Sequence, residues 1–243
     1  MIKRFDTDTG IEVPAITTDQ MREVDRIAIE ETGPNLFQMM ENAGRNLALS
    51  AIELLGEGWR KANIVVLAGT GGNGGGGICA ARHLANRNVK VRLCLSNPNR
   101  LGEVPGFQRK IYQSTSGIEV TLQNLKKESV DLILDAIIGY SLQDAPRGSA
   151  LELIRWANGT DAPVLALDVP SGVDSTTGTA HGDYVRASRT MTLALPKSGL
   201  LHEKTGDLFL ADIGIPQAVY RQMGLQYNHP FDERYSVPLV SSS

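Results

Sequence analysis

Apolar and polar positions recur along this chain with two periods, and the switch between them marks its elements. Met21, Val24, Ile27 and Ala28 fall at helical spacing. Thr17 and Gln20 precede them at the spacing of a capping box, and Gly33-Pro34 ends the helix. Leu36, Met40, Ala43, Leu47, Ala51 and Leu54 give the apolar side of a second helix over 35–55, stopped by Gly56 and Gly58. From Asn63 onward, short continuous apolar runs alternate with helical spacing. Ile64–Leu67, Val89–Leu95, Ile118–Leu122, Val130–Ile138, Val164–Leu167, Ala187–Leu195 and Leu208–Ala211 read as strands. Helices are expected from Ile78, Ala81 and Leu84, and over 107–113, 122–127, 149–157 and 216–223. Residues 1–15 are polar and read as a loose lead-in. Residues 226–243 read as a polar tail outside a single domain over 1–225.

Strands that alternate with helices predict an α/β fold: a three-layer α/β/α sandwich with a Rossmann-like, mainly parallel sheet. Ligands of such sheets sit beyond the carboxyl ends of the strands. Four polar turns follow four apolar strands, at Gly69–Gly77, Asp135–Gly148, Asp168–Gly172 and Pro196-Lys197. Parallel strands would bring all four to one rim.

Composition narrows the class without naming a reaction. Of 243 residues, 42% are hydrophobic and 21% charged, enough apolar surface for a sizeable core. A formal net charge of −3 offers no global basic field for nucleic acid. No apolar run approaches the ~18 residues of a membrane span, and MIKRFDTDTG lacks the apolar centre of a signal peptide. The two cysteines, Cys79 and Cys94, read as reduced core thiols, which points to a cytoplasmic setting. The pair Met39-Met40 reads as core filler in preference to a ligand surface.

Seven of the nine positions 69–77 are glycine. GTGGNG satisfies the dinucleotide pattern Gly-x-Gly-x-x-Gly, but the next strand ends in Leu95-Ser96-Asn97-Pro98 without the expected ribose carboxylate. No Gly-Lys-Ser/Thr follows, which excludes a Walker loop. Asp135 closes the strand VDLILD and is either a local cap or a ligand group. Asp168 closes VLALD and opens Val169-Pro170-Ser171-Gly172, where it can cap a turn or move protons. Ser171 lacks the surroundings of a hydrolase nucleophile. Lys197 is either a rim lysine acting on the ligand or a solvated one. The four histidines lack metal-ligand spacing, and His83 is expected to face solvent or a nearby carboxylate.

Taken together, GTGGNGGGGICAARHL, DAIIG, LDVPSGVDSTTG and LALPKSGL resemble the YjeF N-terminal domain family over about Ile16–Met223. Its enzymatic members are NAD(P)H-hydrate epimerases, and some relatives are called apolipoprotein A-I-binding proteins. The resemblance implies a homodimer that interconverts the R and S epimers of hydrated NADH and NADPH, alongside a separate S-specific dehydratase. It implies K+ held by Asn73, Asp135 and Ser171. It implies substrate contacts from Gly72, Asn73, Gly74, Gly75 and Gly76, from Gly139, Tyr140, Ser141, Leu142, Gln143, Asp144 and Ala145, and from Asp168. Asp168 is the expected acid/base group, with Lys197 assisting. Two positions depart from the family's usual Asn-Asn-Gly-Gly-Asp, because Gly72 and Gly76 replace its first Asn and its Asp. That departure leaves a second expectation, a non-catalytic binding or dimerisation module of the same fold.

Overall fold

A computed structural model of the chain describes residues 4–125 and 129–241. The chain opens on two strands, β1 (Arg4–Thr7) and β2 (Glu12–Pro14), where the sequence suggested a loose lead-in. Helix α1 (Thr18–Ile27) carries the expected Thr17/Gln20 capping box. Helix α2 (Leu36–Leu55) has another, Asn35 with Gln38, which the periodicity did not reveal. The alternating part follows: β3 (Asn63–Ala68), α3 (Gly72–Ala85), β4 (Lys90–Leu95), α4 (Glu103–Tyr112), β5 (Ile118–Val120), α5 (Leu122–Leu125), β6 (Leu132–Ala136), α6 (Gly148–Asn158) and β7 (Val164–Leu167). After it come β8 (Arg189–Leu193), α7 (His202–Thr205), β9 (Asp207–Ala211), α8 (Gln217–Gln222) and β10 (Ser236–Ser241). The last two residues of the helical turn expected over 122–127 lie outside the described residues.

Among the described residues the strands form one sheet in the order β2-β1-β10-β9-β8-β7-β6-β3-β4-β5. From β5 to β9 every pairing is parallel; β10, β1 and β2 add on antiparallel. Side chains of β3 alternate between two cores, as the two-residue period requires. Ile64, Val66 and Ala68 join a cluster with α2 and α3, and Val65 and Leu67 join one with Leu153 and Ile154 of α6. These are the three expected layers. A third cluster packs α1 and α8 against the antiparallel end, through Val24, Ile27, Val219, Leu210 and Val237. None of the helices among the described residues is long and apolar enough to cross a membrane.

Both chain ends correct the sequence expectation. The polar tail is not separate: β10 lies between β1 and β9 and buries Val237 and Leu239. Its apolar run is short and interrupted by Pro238, so it carries little strand signal. The lead-in also continues into the fold, where Ile16 accepts from Ser198 N and donates to the carbonyl of Pro196. Removing 236–243 should therefore take two buried side chains out of the core and unseat the β1–β2 pair. We expect a loss of about 3 kcal/mol, a fall in Tm of roughly 6–12 °C, measurable by thermal denaturation.

Candidate active site

In the parallel sheet, connections run from β3 outward to β4 and β5, and from β6 in the other direction to β7, β8 and β9. The order therefore reverses between β3 and β6, and a crevice opens there beyond the carboxyl ends. It forms a cleft of about 490 Å³ with Asp25, Met40, Asn73, Tyr140, Asp168 and Lys197 among its walls. A wider depression of about 690 Å³ lies at the amino ends of β6 and β7, near Asp131, Arg155 and Trp156, and holds none of the expected site residues.

The glycine segment reaches the cleft in a form the sequence did not suggest. It is not a loop followed by a helix; α3 already begins at Gly72. None of Gly69–Gly77 has a positive φ. Close approach explains them instead. A Cβ on Gly76 would come within 2.7 Å of Leu167 Cδ2, while one on Gly74 would meet the backbone of Gly69 and one on Gly77 would meet Ala136. Helical glycine costs about 1 kcal/mol against alanine. The fold bears that cost to seat the N-terminus of α3 deep between β3, β6 and α2, facing the cleft with Gly71, Gly72, Asn73 and Gly76. Gly74 and Gly75, expected at the substrate, are buried and do not line the cleft.

Asp168 occupies a left-handed backbone position, φ 69°, unusual for a residue with a side chain. That turn directs its carboxylate to Lys197, with which it forms an ion pair, both groups being almost fully buried. Asp168 Oδ2 also accepts from Tyr140 N at 3.1 Å. Lys197 Nζ donates to Leu193 O at 2.9 Å. Lys197 is thus not a solvated lysine, and the pair forms the polar floor of a cleft walled by Met21, Met39, Met40 and Leu167. Met39 and Met40 are buried, as core filler would be, yet both line the cleft.

Asp135 and Ser171 lie beneath the Ile137–Gly139 backbone. Ser171 N and Oγ donate to Asp135 at 2.8 and 2.6 Å, Ile137 N donates to Asp135, and Ile138 N donates to Ser171 Oγ. Burial pushes the Asp135 carboxyl up to about 6 against these hydrogen bonds. Asn73 packs against Gly139, and both atoms of its amide are buried without a hydrogen-bond partner among the described residues. Orphaned buried amides are rare and call for a partner. Asn73 lines the cleft, whereas Asp135 and Ser171 are fully buried and do not. An amide oxygen, a carboxylate and a hydroxyl are the oxygen donors that suit a hard cation such as K+.

Of the second loop, Gly139, Tyr140 and Ser141 line the cleft, whereas Leu142, Gln143, Asp144 and Ala145 do not. Asp144 is exposed and sits 3.7 Å from Arg147, so it adds no acidic character to the cleft. The periodicity did not single out Asp25, the carboxylate of α1 that lines the cleft and accepts from the Tyr140 hydroxyl. Its signal was a carboxylate at the edge of an apolar helical face, between Val24 and Ile27. Behind the site, Glu41 on α2 meets Cys79, Arg82 and His83 on α3, which agrees with the expected carboxylate neighbour of His83. Their ligand atoms lie within 4.8 Å, but the Arg82 guanidinium already supplies the cation. The cluster is a clamp between two helices.

The family model for YjeF-related protein N-terminus matches residues 36–199. An NAD(P)H-hydrate epimerase of Dehalogenimonas lykanthroporepellens is 50% identical over 243 residues, covering 100% of this chain and 99% of that one. A bifunctional NAD(P)H-hydrate repair enzyme of Salinibacter ruber is 35% identical over 85% of this chain, which spans 42% of that protein. An enhancer of mRNA-decapping protein 3 from Macaca fascicularis is 32% identical over 99% of this chain and 47% of its own length. In fold, the crystal structure of yeast ynu0 superposes with a TM-score of 0.79 at 20% identity, covering 94% of this chain and 99% of that one. Matched along most of its length in sequence and in fold, this chain belongs to the YjeF-related N-terminal family.

Proposed function

We propose that this protein is an NAD(P)H-hydrate epimerase, an isomerase that interconverts the R and S epimers of hydrated NADH and NADPH. The observation that carries this reading is the buried Asp168–Lys197 pair on the floor of a cleft at the switch point of the sheet. The relative identical at half of all positions bears that enzyme's name. The epimerised carbon bears a hydroxyl and is bonded to the ring nitrogen. Proton donation to the hydroxyl lets it leave as water, and the nitrogen lone pair forms an iminium ion. Water then adds to the opposite face and gives up a proton. No hydride moves, so a ribose carboxylate of the dehydrogenase type is not required.

Asp168 serves this reaction as the proton-transfer group, and Lys197 balances its charge when it is ionised. The N-terminus of α3 presents backbone N–H groups to the pyrophosphate. Met21, Met39 and Met40 supply apolar walls that limit water beside the ring. Asn73, Asp135 and Ser171 would hold K+, which would supply a fixed positive charge to an anionic substrate. A cytoplasmic homodimer working with an S-specific dehydratase belongs to the same reading. A bifunctional repair enzyme among the relatives supports the functional link, and two free, buried cysteines suit a reducing compartment.

The altered glycines favour a second reading, a binding module without catalysis. Here Gly76 has a packing reason, since an Asp at position 76 would have to displace Leu167, whereas a Cβ on Gly72 would meet only Met40 Cε at 3.4 Å. The decisive measurement is loss of the R epimer in the presence of an S-specific dehydratase. The wild-type protein should turn over, and failure to do so would support the module. Asp168→Asn should lower kcat by roughly 10²–10⁴-fold in that assay. Replacing K+ with a bulky organic cation should weaken substrate binding. Asn73→Ala should raise the K+ concentration for half-maximal activity by about tenfold or more; an unchanged K+ requirement would remove Asn73 from the cation site.

A further inference from the structure

Asp168 is asked above to give one proton and take another. A second carboxyl group lines the same cleft and is unused, that of Asp25 on α1. Its neighbour Tyr140 is held at three points. The Tyr140 N–H donates to Asp168 Oδ2 at 3.1 Å, its carbonyl accepts from Ser175 Oγ at 2.9 Å, and its hydroxyl donates to Asp25 Oδ2. One residue therefore ties together two carboxyl groups, through its backbone at one end and its ring hydroxyl at the other. Lys197 Nζ lies 5.8 Å from the centre of the Tyr140 ring.

One buried cation serves this pair of acids. Lys197 touches Asp168 and acts on Asp25 only from a distance. Burial pushes the Asp25 carboxyl up, and the charge of Asp168 adds to that. The Tyr140 hydroxyl and Lys197 oppose the shift in part. Among the described residues, Tyr220 of α8 and Arg22 of α1 are further titratable groups near this pair, the latter acting on Tyr140. Two carboxylates that line one cleft cannot both ionise without some penalty. A carboxyl that burial keeps in its neutral form is suited to act as an acid.

We propose that Asp25 is the second proton-transfer group of the cleft and exchanges roles with Asp168 at each turnover, an inference that rests on the epimerase reading. In one direction the Asp25 carboxyl gives its proton to the substrate hydroxyl. The C–O bond breaks, water leaves, and the nitrogen lone pair becomes the second bond of the iminium. An incoming water forms the new C–O bond, the electron pair returns to nitrogen, and the spare proton passes to the Asp168 carboxylate. The enzyme ends with Asp25 ionised and Asp168 protonated, poised for the reverse reaction. Lys197 stays beside Asp168 throughout and acts on ionised Asp25 only from a distance.

The test uses the full chain with hydrated NADH and the coupled dehydratase. Asp25→Asn keeps the shape and can still accept from Tyr140, but it holds no transferable proton. It should lower kcat by roughly 10²–10⁴-fold with little change in KM. It should also abolish the decline of kcat at high pH, which reports the acid that must stay protonated. Asp25→Glu should restore part of the rate. If Asp25→Asn does not fold, Tyr140→Phe decides the matter. It removes a hydrogen bond that favours ionised Asp25, so the descending limb should move to higher pH while the ascending limb stays. Wild-type kcat and pH profile in folded Asp25→Asn, or an unmoved limb in Tyr140→Phe, would overturn the role of Asp25 and leave the epimerase reading standing. An inactive wild-type protein would sink both.

Discussion

A carboxylate and an ammonium group hidden from water, those of Asp168 and Lys197, are the constraint around which the cleft is built. Removing two charges from water costs several kcal/mol per ion unless each finds the other and further hydrogen bonds as well. Here Leu193 O receives the ammonium and Tyr140 N supports the carboxylate. Satisfying the pair fixes the ends of β7 and β8 and the loop after β6. Ile16 then fastens the Lys197 segment from the other side, so the first residues of the chain stabilise the active centre without lining it. Breaking such a pair typically costs 3–5 kcal/mol, because the survivor is left buried and uncompensated.

The glycine helix meets a second demand of the same cleft. Its N-terminus lies at the cleft, and α3 can sit that deep only if its first turns lack side chains facing Leu167, Ala136 and Met40. Fixing so bare a helix requires a partner, and Glu41 supplies it. Burial opposes ionisation of Glu41, but Arg82 and His83 hold its carboxyl down to about 2, so it bridges α2 and α3 as a charged group. Asn73, in the first turn of the same helix, packs against Gly139 at the cleft.

Viewed this way, the departures from the family's glycine loop carry less weight than they do as letters. Gly76 faces a leucine side chain in a tight space, and Asn73 and Asp168 still line the cleft without a carboxylate there. The cleft also has a carboxylate from another element, Asp25, which no comparison of loop motifs would have brought in.

Local periodicity determined the layered class, because runs such as Ile64–Leu67 and Val164–Leu167 are apolar on both faces, as strands covered on both sides must be. It also determined the rim, since parallel strands deliver Asn73, Asp135, Asp168 and Lys197 to one edge whatever their pairing order. The order of motifs carried the family. Tertiary structure alone decided the rest. A lysine's burial depends on distant residues closing over it, so Lys197 reads as solvated or functional until Asp168 is placed beside it. The strand at 236–241 has weak intrinsic signal and forms because β1 and β9 leave a gap for it. Gly72–Gly77 is helical because packing overrides a propensity that favours a loop. Asp25 becomes part of the site only when α1 meets Tyr140, 115 positions along the chain, and a contact of that span leaves no trace in local pattern.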